Sequence, residues 1–172
     1  MNETKYKINE IFRSVQTEGM NSGKSAVFVR FSGCNLDCPF CDTNHETFFE
    51  MTKEQIDEQI EKLSDHNKDV LVVFTGGEPT LQLEEDVVIG GEHPKAMETN
   101  GILPAPSWIN WVTISPKTKL PLANLKRANE VKVLYSYFED SYLEELTKLH
   151  CHLYLQPLEK CGNMNIKDCI AF

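Results

Sequence analysis

Short apolar runs rich in β-branched and aromatic residues recur along the chain, and polar connections separate them. Ser25–Phe31, Asp69–Phe74, Lys95–Gly101, Trp111–Lys117, Glu130–Tyr135 and His152–Pro157 are six such runs. Several are apolar at odd and even positions alike, the pattern of a strand buried on both faces of a parallel sheet. The connections between them are long enough for crossovers.

Helical periodicity is sparser. Thr52-Lys53-Glu54-Gln55 is a capping box followed by an apolar stripe at Ile56, Ile60 and Leu63, which predicts a helix to about His66. Ser141–Glu144 opens a second capped helix with Leu143, Leu146 and Leu149 on one face. Lys5–Phe12 alternates imperfectly and reads as a short edge strand or lead-in, and Ser14–Gly23 as a polar loop. Residues 80–89 read as a short helix or irregular segment. Asn165–Phe172 starts an amphipathic helix but stops on apolar residues with no glycine cap, so the expectation is a truncated C-terminal end.

The polar motifs share one kind of place. Cys34–Cys41, Thr75–Pro79, Glu98–Gly101, Ser115–Lys117 and Gln156-Pro157 each follow the C-terminal end of a predicted strand. In a parallel α/β sheet or barrel those ends form one rim, where active sites are built.

Composition narrows the classes of partner. The 172 residues, 41% apolar and 25% charged, suit a single domain spanning residues 1–172 with a sizeable core. A net charge of −9 and a pI near 5.0 argue against a nucleic-acid footprint, which needs a basic face. There is no apolar run near 18 residues and no secretory h-region, so no membrane span is expected and the chain is read as cytoplasmic. The expected substrate is a small molecule.

Three of the six cysteines, Cys34, Cys38 and Cys41, fall in a C-x3-C-x2-C stretch, and no fourth follows until Cys151. Grouped thiolates bind iron–sulfur clusters or zinc, and three ligands leave one position open. A zinc knuckle completed by His45 is the competing reading. Cys151, Cys161 and Cys169 read as small buried apolar side chains. Arg30 interrupts an apolar strand. Its guanidinium needs an anion, either in a structural ion pair or on a ligand carboxylate.

With Phe40 before the third cysteine, the cysteine motif resembles that of the radical S-adenosylmethionine (radical SAM) enzymes. Taken with Val15-Gln16-Thr17-Glu18-Gly19, Arg30–Cys34, Cys41-Asp42-Thr43, Thr75-Gly76-Gly77-Glu78-Pro79, Glu98–Gly101, Ser115-Pro116-Lys117 and Leu155-Gln156-Pro157, it resembles the 7-carboxy-7-deazaguanine synthase family. That resemblance implies a partial (β/α)6 barrel with six mainly parallel strands and few helices. It also implies conversion of 6-carboxy-5,6,7,8-tetrahydropterin to 7-carboxy-7-deazaguanine with loss of ammonia, with a 4Fe–4S cluster, SAM and Mg2+. By resemblance, Cys34, Cys38 and Cys41 hold the cluster and Thr43 supplies an oxygen to Mg2+. Phe40, Asp42, Gly76, Gly77, Glu78, Ser115, Pro116, Lys117 and Gln156 contact SAM. Val15, Gln16, Thr17, Arg30 and Thr75 contact the pterin. The family also implies an electron donor such as flavodoxin or ferredoxin, and a homodimer. Thr17 departs from it, standing where the family usually has glycine. The alternatives are a glycyl-radical-enzyme activase, which shares the cysteine motif, and a non-catalytic zinc or iron–sulfur binding module.

Overall fold

The six apolar runs form the parallel part of one sheet. The computed structural model describes residues 4–41, 43–135, 137–160 and 163–171. Strands β2 (Ser25–Phe31), β4 (Leu71–Gly76), β5 (Lys95–Thr99), β6 (Trp111–Ile114), β7 (Glu130–Leu134) and β8 (His152–Gln156) pair in that order, all parallel. On the β2 side the sheet continues antiparallel, through β1 (Lys5–Val15) and then β3 (Phe49–Thr52), giving eight strands in the order β3-β1-β2-β4-β5-β6-β7-β8. The fold is thus mixed α/β with a mainly parallel sheet and few helices, as the pattern predicted.

Three local expectations are corrected. Lys5–Phe12 is no short edge: β1 runs 11 residues and is paired on both sides. The strand β3 went unpredicted because four residues are too few to display a period. The same holds for the two-residue strands β9 (Glu159–Lys160) and β10 (Asn163–Met164), which pair antiparallel.

Helix α1 (Lys53–Leu63) carries both bonds of the predicted capping box: Gln55 N donates to Thr52 Oγ1 at 3.4 Å, and Thr52 N donates to Gln55 Oε1 at 2.9 Å. It stops short of His66, where Asp65 and His66 adopt positive φ and turn the chain out of the helix. Helices α2 (Leu122–Leu125), α3 (Asp140–Leu146) and α4 (Ile166–Ala171) are short. Contrary to expectation, α3 has no side-chain cap, but it buries Leu143 and Leu146 as predicted, together with Tyr142. Among the described residues no helix is long and apolar enough to cross a membrane.

Strand residues alternate between two faces. Val27, Val29, Phe31, Val72, Phe74, Met97, Val131 and Val133 pack with Ile56 and Ile60 of α1 and Tyr142 of α3 in the main core. The intervening positions form a smaller apolar cluster, Ala26, Leu71, Val73 and Ala96, with Phe28 and Trp111 against it. Further along the strands this second face turns polar, at Arg30, Thr75, Glu98, Lys132 and Gln156. Cys151 and Cys169, expected to be buried, are both only half-buried: Cys151 packs against the edge of the main core, and Cys169 sits on α4, a helix with no buried residue among those described. Cys161 lies outside the described residues.

Candidate active site

A cavity of about 580 Å³ opens where the polar face meets the C-terminal strand ends. It is lined by Cys34, Cys38, Phe40, Cys41 and Thr43 of the cysteine loop, Gly76 and Gly77 after β4, Ser115 and Lys117 after β6, and Gln156 of β8. Val15, Gln16, Thr17, Arg30 and Thr75 line it too. Residues from six segments of the chain therefore meet in one space, as the rim argument required.

The glycines after β4 make the junction between that loop and the cysteine loop. Gly77 N donates to Phe31 O and Glu78 N to Gly33 O, both at 2.9 Å. A Cβ on Gly77 would lie 2.0 Å from Gly33 O, and one on Gly76, whose φ is +112°, 2.3 Å from Phe31 O. So the close approach these glycines permit is to the backbone that carries the cysteine loop, not only to a ligand. Glu78 serves the scaffold as well. Its carboxylate is fully buried and does not line the cavity, accepting from Thr80 N, Thr80 Oγ1, Thr99 Oγ1 and Asn100 N at 2.6–3.1 Å. It ties the β4 loop to the end of β5. Pro116 is buried and also absent from the lining, and Asp42 lies outside the described residues.

Opposite the cysteines, the loop after β1 is drawn across the polar face by charges that the sequence reading did not select. Glu98 accepts from Gln16 Nε2 at 3.0 Å and from Thr75 Oγ1 at 2.8 Å. Lys132 Nζ donates to Glu18 Oε2 at 2.5 Å and lies 3.6 Å from Glu98 Oε1, while Gln156 Nε2 donates to Glu18 Oε1 at 3.0 Å. Burial works against the Lys132 charge, but Glu98 and Glu18 outweigh it and the pKa is raised. Below them Glu130 is buried, accepting from Met20 N at 2.9 Å and Thr113 Oγ1 at 2.7 Å. Its carboxylate occupies the space where a side chain on Gly19 would stand. Thr17 has no positive φ, so its side chain imposes no backbone strain here.

Truncating Lys132, whose side chain is 9% exposed, leaves Glu98 and the half-exposed Glu18 without their cation. Lys132→Met should therefore cost about 2 kcal/mol, less than a fully buried pair because Glu18 is solvated. By differential scanning calorimetry that lowers the melting temperature by about 6 °C for a chain of this size, and Glu18→Gln in the same protein should recover part of the loss.

Arg30 makes the ion pair of its structural reading. Among the described residues it bonds through Nε to Glu10 Oε1 at 2.8 Å, its cross-strand neighbour, and its guanidinium lies 5.9 Å from the Phe12 ring centroid. It also lines the cavity. Lys117 Nζ donates to Ser115 Oγ at 2.6 Å, which in turn donates to Lys132 O at 3.1 Å. Burial pushes the Lys117 ammonium down, with Cys38 opposing. Burial also raises the Cys38 thiol, with Lys117 opposing.

The donor set suits an iron–sulfur cluster. Cys41 N donates to Cys38 O at 3.0 Å, closing a tight turn that brings these two cysteines to the same wall. Among the described residues no three His, Cys, Asp or Glu side chains close around a single-ion position. All three cysteines line the same cavity, and grouped thiolates are the usual ligands of an iron–sulfur cluster.

The model of the radical SAM superfamily matches residues 28–129, which hold all three cysteines and the Gly-Gly loop. A 7-carboxy-7-deazaguanine synthase from Bacteroides thetaiotaomicron is 44% identical over 169 residues, 95% of this chain and 88% of that protein. This chain belongs to the 7-carboxy-7-deazaguanine synthase family. A family member from Haemophilus influenzae is 36% identical, covering 98% of this chain and 83% of its own. The crystal structure of QueE from Escherichia coli superposes with a TM-score of 0.73 at 26% identity, covering 97% of this chain and 90% of that one. Membership in a radical SAM family brings a 4Fe–4S cluster and SAM, and the activase and zinc-module readings are not favoured.

Proposed function

We propose that this chain is a carbon–nitrogen lyase, a single-domain cytoplasmic enzyme that converts 6-carboxy-5,6,7,8-tetrahydropterin to 7-carboxy-7-deazaguanine with release of ammonia. The observation that carries this reading is the shared cavity. A trithiol loop forms one wall, and an arginine with a ring of amide, hydroxyl and carboxylate groups forms the other. In this reading Cys34, Cys38 and Cys41 hold the cluster, leaving an iron open to SAM. When bound, the cluster and SAM would supply one-electron radical chemistry.

The chain's own residues bind and orient. Phe40, Ser115, Lys117, Gly76, Gly77 and Gln156, which line the cavity beside the cysteine loop, would contact the SAM nucleoside, with Glu78 and Pro116 behind them. Asp42 belongs to the same group by its place in the motif. Gln16, Thr17, Val15 and Thr75 form the pterin wall. Glu98 and Lys132 join them, offering an acceptor and a donor to the polar edge of a pterin. Arg30, held by Glu10 at Nε, presents the outer edge of its fork to the substrate carboxylate. Thr43 would offer a hydroxyl oxygen to Mg2+, a hard cation that prefers oxygen ligands. A small electron-transfer protein of the flavodoxin or ferredoxin type would deliver the electron, and the protein would act as a homodimer.

Arg30→Lys keeps the charge and loses the fork. The expected result is a KM for the pterin about tenfold higher, equivalent to 1.4 kcal/mol, with cluster content and SAM binding unchanged. Steady-state kinetics with an iron assay check this. An Arg30→Lys protein that unfolds, or one that loses iron while binding the pterin normally, would assign Arg30 to the Glu10 ion pair alone. Thr43→Ala should raise the Mg2+ concentration for half-maximal turnover several-fold without changing iron content. An unchanged Mg2+ dependence would remove Thr43 from the metal.

The function itself is tested by anaerobic turnover with SAM, reductant and the carboxytetrahydropterin. The reading expects 7-carboxy-7-deazaguanine and ammonia in equal amounts with SAM recovered. An activase would consume SAM to 5′-deoxyadenosine without forming the deazapurine, and a binding module would leave SAM intact.

A further inference from the structure

His45 is held between the root of the cysteine loop and its last cysteine. The backbone N–H of Gly33 donates to His45 Nδ1 at 3.3 Å, and Ser32 Oγ donates to the His45 carbonyl at 3.1 Å. Nε2 lies 3.9 Å from Cys41 Sγ. Asn9 Nδ2 pins the same segment by donating to the carbonyls of Asn44 at 2.7 Å and Thr47 at 2.9 Å. The ring lies over Gly77, with Cε1 3.1 Å from where a Cβ would stand. The Ser32 and Asn9 side chains therefore set the place of the segment, and the Gly33 amide sets the orientation of the imidazole.

That geometry decides the tautomer. An amide N–H needs an acceptor, so Nδ1 presents its lone pair to Gly33, and the proton of the neutral ring sits on Nε2, facing the sulfur. As a thiol, Cys41 has a second neighbour to which S–H donates, the Thr43 carbonyl at 4.0 Å. A metal-bound thiolate has no proton to give and can only accept. The same tautomer removes His45 from the fourth-ligand role of a zinc knuckle, since neither nitrogen keeps a lone pair for a metal.

We propose that His45 is a positioning residue that donates an Nε2–H···Sγ hydrogen bond to the Cys41 thiolate and thereby raises the reduction potential of the cluster. This rests on the reading of Cys34, Cys38 and Cys41 as cluster ligands. The reduced cluster carries one more negative charge, spread partly onto its thiolates. A fixed N–H dipole stabilises that form more than the oxidised one. Because Gly33 already holds the ring, little reorganisation accompanies the arriving electron. The proposed effect is an easier first reduction, the step on which SAM cleavage depends.

The test uses reconstituted full-length protein without SAM or substrate, titrated with a redox mediator and followed by electron paramagnetic resonance. His45→Phe removes the donor. His45→Gln keeps an acceptor and a donor about as far apart as the two ring nitrogens. With iron and sulfide content equal in all three proteins, the ratio of reduced to oxidised cluster at a fixed potential should fall about tenfold in His45→Phe. That is a midpoint 59 mV more negative for one electron. His45→Gln should recover most of it. A fully loaded His45→Phe protein with an unchanged midpoint overturns the proposal, and so does an equal fall in both variants, which would trace the shift to packing.

Should His45→Phe fail to load, wild-type protein labelled with 15N-histidine decides the matter. Pulsed resonance of the reduced cluster should show a weak coupling to one imidazole nitrogen that His45→Gln lacks, and no coupling overturns the proposal. Wild-type protein that binds zinc and no iron defeats the cluster reading itself, and the proposal with it.

Discussion

Cys38→Ser, purified and reconstituted under anaerobic conditions, should retain its fold, lose most of its iron and reduce SAM cleavage to background. Cys38 lies in the middle of the loop, half-exposed on the cavity wall, and among the described residues it belongs to neither apolar core. Its removal therefore costs little stability. A hydroxyl is a poor replacement because it stays protonated at neutral pH, whereas the thiol gives up its proton to a metal. The loss is all-or-none, since three ligands is already the minimum that leaves one iron open. Cys151→Ser is the control: it packs against the main core, outside the cavity, and should keep full iron and full activity at a small cost in stability. Iron analysis, circular dichroism and 5′-deoxyadenosine yield check both. A Cys38→Ser protein with full iron and wild-type cleavage would show that the cysteine loop is not the cluster site.

Gly77→Ala has the second largest expected effect, and it acts through the fold. The added methyl would stand 2.0 Å from Gly33 O and 2.6 Å from Gly33 C, both backbone atoms that cannot rotate away. The two loops must part, losing the bonds from Gly77 N to Phe31 O and from Glu78 N to Gly33 O. Overpacking of this kind and two lost hydrogen bonds sum to about 3 kcal/mol. For a chain of this size that lowers the melting temperature by about 10 °C. Because Gly33 precedes Cys34, cluster loading should fall as well. Gly23→Ala, at a position where a Cβ meets nothing within 4 Å although φ is +89°, separates the two effects. It carries backbone strain alone and should leave loading intact.

The parallel strands were legible because each is a continuous apolar run closed by polar motifs, and a run such as Asp69–Phe74 has few other ways to be buried. The cysteine wall was legible because C-x3-C-x2-C is local in sequence. Direction was harder to see. Thr-Gly-Gly-Glu-Pro is one motif, but Gly77 faces the cavity while Glu78 points into the interior to bind Thr99 and Asn100. Position in a motif does not tell which way a side chain turns. The Glu18, Glu98 and Lys132 network was missed because it forms between strands far apart in sequence. A signal was nevertheless present. The same reasoning that flagged Arg30, a charge inside an apolar strand, applies to Lys132 and Glu130 in EVKVL and to Glu98 in KAMET. The strand β3 had no such signal, because its place is set by pairing with β1 rather than by a pattern of its own.

The most direct test of the three-thiolate centre is pulsed electron paramagnetic resonance on the reduced, reconstituted protein with SAM labelled with 15N at the methionine amino group. An iron left open by Cys34, Cys38 and Cys41 predicts one 4Fe–4S cluster per chain, a signal that changes when SAM is added, and a hyperfine coupling from the labelled nitrogen bound to iron. A cluster whose signal is unaltered by SAM and shows no nitrogen coupling would mean that all four irons are already ligated, contradicting the account.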